Sequence, residues 1–213
     1  MKGTRDRTKA FEIPLLMELA VRNDERFSWR YKSAKEEILE EIRYNVMAFF
    51  GFSESEKRLQ LESDAHGQIY QEIHRARHFL VLKNEMVRDH WEITQEGLVR
   101  LQDLISDCLK HILVSAPDRL ADLIRAGEKQ EPSSFIQVLR QVPEDRLAPL
   151  VHKSSNQFEL LALSFQEIPA ANLGTAIMPI WEELVEIVGE HLKEKHKYSL
   201  AMLQRRANSV LGA

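Results

Sequence analysis

The chain is poor in cysteine, glycine and proline. Its one cysteine, Cys108, rules out a disulfide within the chain, so stability must come from a packed core. Glycine (8) stands at about half and proline (7) at about two-thirds of the usual share in 213 residues. So few turn-formers favour helices joined by short loops over a sheet-rich fold. No apolar run reaches the ~18 residues of a membrane span. The first residues, MKGTRDRTKAF, lack the apolar stretch of a secretory signal, so a reducing, cytoplasmic setting is expected. P-loop, GxGxxG and GxSxG motifs are all missing, which removes support for nucleotide binding and serine hydrolysis.

Positive charge is also in short supply. Lys and Arg total 29 against 33 Asp and Glu, giving 29 − 33 = −4. Residues 1–114 hold 18 basic and 20 acidic residues, and residues 115–213 hold 11 and 13. Neither half is basic. Contact with nucleic acid would have to come from a local patch.

What is present is helical periodicity. Apolar residues recur at spacings of three and four over 11–22, where Pro14 fits only the first turn. They recur over 34–50 through Ile38, Ile42, Val46 and Phe49, with Gly51 as a C-cap. Ser53 and Glu56 are spaced as a capping box. Over 67–80, Ile69, Ile73, Ala76 and Leu80 share one face and Gln71, His74, Arg75 and His78 another. FLVL (79–82) either follows as a short strand or merges with the helix end, WEIT (91–94) reads as a half-buried strand that would pair with it in a hairpin, and Thr94 as the cap of a helix running to Leu113. The second half reads as helices: 117–127 after Ser115, a short piece after Ser133, a piece bracketed by Pro143 and Pro149, a helix capped by Asn156 and stopped at Pro169, then a long helix over 175–196. Residues 197–211 continue it or form a last helix.

Three helices, a short hairpin and a fourth helix make a winged-helix layout. The expected fold is therefore mainly α: a winged helix-turn-helix domain over 1–114 followed by an all-α helical domain over 115–213. In a winged helix the second helix of the helix-turn-helix enters the major groove of DNA. Gln71, His74, Arg75 and His78 are residue types that bond bases or phosphates, and Lys83, Asn84, Arg88 and His90 would lie on the wing. Lys2, Arg5, Arg7 and Lys9 form a polar start that is either a frayed terminus or a basic arm.

Residues 11–101 resemble the N-terminal winged-helix domain of Mrr-type restriction proteins. The resemblance lies in FEIPLLMEL and in IYQEIHRARHFLVLKNEMVRDHWEITQEGLVRL, through Ala76, Leu80, Trp91, Ile93, Thr94, Glu96 and Gly97. It covers a little under half of the chain. Two departures stand out. The family's glycine between helix and wing is replaced by Val81-Leu82-Lys83. Residues 115–213 carry no nuclease half, which needs an Asp and a later acidic-x-Lys motif on strands. Glu194 and Lys195 fall instead on a helix-patterned stretch. The resemblance implies DNA binding in a restriction or defence setting, without catalysis.

His74 and His78, four apart in HRARH, share a helix face but lack the Glu of a zinc-protease motif, so no metal is expected. Cys108 lies between Ile105 and Leu109 and reads as a buried, inert thiol. Trp181, Leu184, Val188 and Leu192 make an apolar stripe, either core or a surface for another chain. The expected function is a non-enzymatic, cofactor-free DNA-binding accessory or regulatory subunit. It would bind double-stranded DNA through the winged helix and itself or a larger effector through the second half. The alternative is an adaptor in a larger complex, such as an SMC-type ATPase or a nuclease, whose winged helix binds protein.

Overall fold

A computed structural model describes residues 8–22, 36–63, 68–115 and 133–196. Within them the helices are α1 (Glu12–Val21), α2 (Glu36–Ala48), α3 (Glu54–Ser63), α4 (Gln68–Leu82), α5 (Gln95–Ser115), α6 (Ser134–Leu139), α7 (Glu144–Lys153), α8 (Gln157–Glu167), α9 (Leu173–Ile177) and α10 (Trp181–Lys195). Single 3-10 turns at Ala170–Asn172 and Met178–Ile180 flank α9. The mainly α expectation is met. The basic arm up to Arg7, the helix over 117–127 and the segment after 196 lie outside the described residues.

The local signals act where the sequence places them. Ser53 Oγ accepts from the Glu56 N–H while the Glu56 carboxylate accepts from the Ser53 N–H at 2.7 Å, closing a capping box. Thr94 Oγ1 accepts from the Gly97 N–H at 3.1 Å and opens α5. Asn156 Oδ1 accepts from the N–H groups of Phe158 and Glu159 and opens α8. Ser133 accepts from the Ile136 N–H and opens α6. Gly51 ends α2 with φ +72°, in the left-handed region.

The packing centres on α1. Every residue from Glu12 to Ala20 is buried, so the helix is enclosed on all sides rather than along one stripe. It packs against α2, α4, α5, α9 and α10. Gly174 of α9 lies so close to α1 that a Cβ there would sit 2.2 Å from the Ala20 carbonyl oxygen. On the other side, α5 lies along α8. Gln102 Nε2 donates to the carbonyls of Phe165, at 3.1 Å, and Ile168, groups that the end of a helix leaves without partners. Ser106 Oγ donates to the Ala162 carbonyl at 2.8 Å.

The boundary expected at 114–115 falls at the end of α5. The buried residues before and after it form one continuous cluster, from Ala10 to Leu192. Among the described residues the two halves share this cluster across α1, α5 and α8–α10.

One open alternative is resolved and two expectations are corrected. FLVL (79–82) is the last turn of α4, because Leu80 continues the buried row of Ile69, Ile73 and Ala76. WEIT contributes no strand, only the antiparallel bridge Met86–Ile93. The helix expected over 175–196 is broken at Met178–Ile180, where Pro179 has no N–H to continue the ladder and its ring crowds the carbonyl four residues back. Pro149 conversely sits inside α7, on a solvent-exposed position where water can serve the freed carbonyl.

Because a methyl group at 174 has no space, Gly174→Ala is expected to lower stability by roughly 1–3 kcal/mol, read as a lower urea midpoint. An unchanged midpoint would show that α9 can draw back from α1 without loss.

Candidate nucleic-acid interface

Four residues of α4 face outward in one row. Gln71, Arg75, His78 and Leu82 are exposed, and at about 100° per residue they fall within roughly 60° of the helix circumference. The opposite face carries Ile69, Ile73, Ala76 and Leu80 into the core. Arg75 also binds inward: its Nη1 lies 3.0 Å from the fully buried carboxylate of Glu72, which accepts a second bond from Thr8 Oγ1 at 2.7 Å.

His74 is turned away from this row. Its half-buried ring lies between Tyr70, at 4.1 Å between centroids, and Trp91, edge-on at 5.4 Å. Burial lowers its pKa to about 4, with the positive charges of Arg77 and Arg43 adding to the effect. At neutral pH the ring is uncharged, so His74 supports the aromatic packing rather than attracting phosphate.

The end of α4 is closed without a glycine. Asn84 has φ 59°. The Glu85 N–H bonds to the Leu80 carbonyl at 2.8 Å, and the Asn84 N–H to that of Val81 at 3.1 Å. This is a Schellman motif with asparagine in the left-handed position that glycine usually fills. The Asn84 carbonyl in turn accepts from Thr94 Oγ1. Asn84 thus shapes the junction. Glycine is needed instead at Gly97, where a Cβ would meet the Glu85 carbonyl oxygen at 2.1 Å.

Residues 83–94 form a tight loop instead of a stranded wing. The Val87 N–H bonds to the Glu92 carbonyl at 3.0 Å and the Thr94 N–H to that of Glu85 at 3.1 Å, on either side of the Met86–Ile93 bridge. Its staple is Arg77, a residue that sequence reasoning passed over. The guanidinium is buried, lies 5.3 Å from the centre of the Trp91 ring, and donates from Nη2 to the carbonyls of Val87, Arg88 and His90. An arginine beside the apolar row of a helix, followed by a tryptophan fourteen residues on, was the only hint in the sequence.

The cations expected on the wing separate accordingly. Arg88 is exposed at the tip. Lys83 Nζ lies 2.7 Å from the buried carboxylate of Glu12. Arg100 reaches the same carboxylate at 3.5 Å and Glu85 at 3.2 Å. Burial raises the pKa of Glu85, partly offset by Arg100 and Lys83. His90 is half-buried, with its carbonyl on Arg77 and its Nδ1 enclosed without a hydrogen-bond partner. The structure therefore brings Gln71, Arg75 and His78 onto one face with Arg88 on the adjoining loop, and draws His74, Lys83, Asn84 and His90 into structural contacts.

The other expected surface is not on offer. Leu184, Val188 and Leu192 are at most 1% exposed, and Trp181 meets the Phe49 ring edge-on at 5.7 Å. This stripe packs inside its own chain, so it is core and not a partner site. Cys108 is buried as expected, and burial pushes its thiol up to about 12, which leaves it protonated and unreactive. Among the described residues no three His, Cys, Asp or Glu are placed to hold a metal, and no helix is long and apolar enough to cross a membrane. No protein-family model, no curated protein and no solved structure matches the chain.

Two outcomes follow from this geometry. Arg77→Met should release the three loop carbonyls and cost about 2 kcal/mol or more, and hydrogen exchange over 85–93 should rise while α1 and α5 stay protected. Equal protection in the variant would contradict the staple. For His74, the folded pKa lies below the unfolded value near 6.5, so its contribution is complete above ~6.5 and is lost as pH falls toward about 4. His74→Gln should flatten that part of the curve of Tm against pH, and an unaltered slope would refute the assignment.

Proposed function

We propose that the chain is a non-enzymatic DNA-binding accessory or regulatory subunit with a winged-helix architecture. α3 and α4 form its helix-turn-helix and the 83–94 loop a wing reduced to one bridge. The observation that carries this reading is the outward row Gln71, Arg75 and His78 on α4, next to a loop that Arg77 holds in shape with Arg88 at its tip. A pre-shaped helix and loop would dock on a duplex with little ordering cost. In this reading α4 lies in the major groove, Arg88 and Arg75 anchor phosphates, and Gln71 and His78 meet base edges. The setting would be a prokaryotic restriction or defence system, as the resemblance to Mrr-type proteins implies, with the second half docking on itself or on a larger effector in the cytoplasm.

One observation favours the adaptor reading as the second choice. Lys83 and Arg75 each lie against a buried carboxylate, which leaves the face little uncompensated positive charge. A surface of that kind also suits a protein partner, such as a larger ATPase or nuclease.

Under the first reading, Arg88→Glu should weaken binding to a short duplex about tenfold at low salt and reduce the salt slope by about one. Gln71→Ala with His78→Ala should narrow the gap between preferred and random sequences. Fluorescence anisotropy across a salt series reads both. Wild-type affinity in Arg88→Glu, with the fold intact, would rule out this interface.

A further inference from the structure

A second cluster of titratable groups lies far from α4 in the sequence, where the end of α10 meets α5. His111 of α5 and Glu194 of α10 are joined by a hydrogen bond of 2.7 Å from imidazole Nε2 to the carboxylate. The His191 ring stands edge-on to His111, 5.1 Å between centroids. Its Nδ1 is enclosed and has no hydrogen-bond partner. His196 closes the helix, with its N–H on the Leu192 carbonyl at 2.8 Å and its side chain buried.

The groups acting on His191 are Lys195, His196 and Glu194 from α10 and His111 from α5. The charge of Lys195 also acts on Cys108 of α5. A proton added to His191 would put a second N–H donor where no acceptor stands. It would also add positive charge beside Lys195 and a second imidazole, with Glu194 already engaged by His111.

We propose that His111, His191 and Glu194 form an acid-labile latch that holds the last turn of α10 on α5 at neutral pH and lets it go when His191 takes up a proton. The physical direction agrees: burial first, then Lys195 and His111, lowers the pKa of His191 below its ordinary value. The unfolded or released form binds the proton more readily. The latch is therefore closed above about pH 6.5 and opens as pH falls below it. The core residues Leu184 and Val188, further up α10, stay in place, so release is confined to the final turns.

The test is hydrogen exchange on the full chain between about pH 7 and about pH 5, corrected for the intrinsic rate. Peptides covering 189–196 should lose protection about tenfold on acidification, while α1 and α8 keep theirs. His191→Gln, which cannot take up the proton, should abolish this local loss, and His74→Gln should leave it unaltered. On the wild-type protein, the midpoint of the His191 ring signals in a nuclear magnetic resonance titration should coincide with the loss. Uniform loss across the chain, no loss, persistence in His191→Gln, or a midpoint that does not coincide would each overturn the latch.

Discussion

A ten-residue helix enclosed on every side dictates most of this structure. α1 offers Leu15, Leu16, Met17 and Leu19 to its neighbours, but it also carries Glu12 and Glu18 into the interior. Burying a carboxylate is expensive unless opposite charge and hydrogen bonds meet it. Glu12 is met by Lys83 and Arg100, from the end of α4 and the start of α5. Glu18 is met by Arg22 and by Asn45 of α2, and burial still raises its pKa. Each end of α1 is thus bound to a different part of the chain. Removing both partners of either carboxylate would leave a buried charge uncompensated, a larger loss than the pairs themselves contribute.

This arrangement sets what the surface can do. Holding Glu12 takes up Lys83, and holding Glu72 takes up Arg75, so two of the cations nearest α4 serve the interior as well as the exterior. Arg77 holds the loop, fixing three carbonyls that a stranded hairpin would have paired along its ladder. The result is a shaped face of modest charge. Such a face suits contact that depends on fit and on a few phosphates more than on a strong basic field.

How far the sequence could be read depends on the range of the interaction concerned. Caps were legible because they act over three or four residues: Ser53 with Glu56, Thr94 with Gly97 and Asn156 with Glu159 all stand as their spacing implies. The inner face of α4 was legible for the same reason. What depended on distant partners was not. α1 looked amphipathic because nothing local shows that α9 and α10 close over it. The stripe from Trp181 to Leu192 reads from the sequence as core or as a surface for another chain, since part of its cover, Phe49, lies more than a hundred residues away. His74 and Lys83 look like DNA-facing residues until Trp91 and Glu12 are seen beside them. Asn84 hides a backbone role, because a left-handed cap leaves little trace when the residue is not glycine.

We propose that the outward row of α4 and the adjoining loop form the contact face for double-stranded DNA. Hydrogen-exchange footprinting of the full chain at low salt, with and without a duplex, tests it most directly. Added protection over 68–92 and unchanged exchange over α7 and α8 are expected. Protection confined to α7 and α8, or none at any duplex concentration, would contradict it.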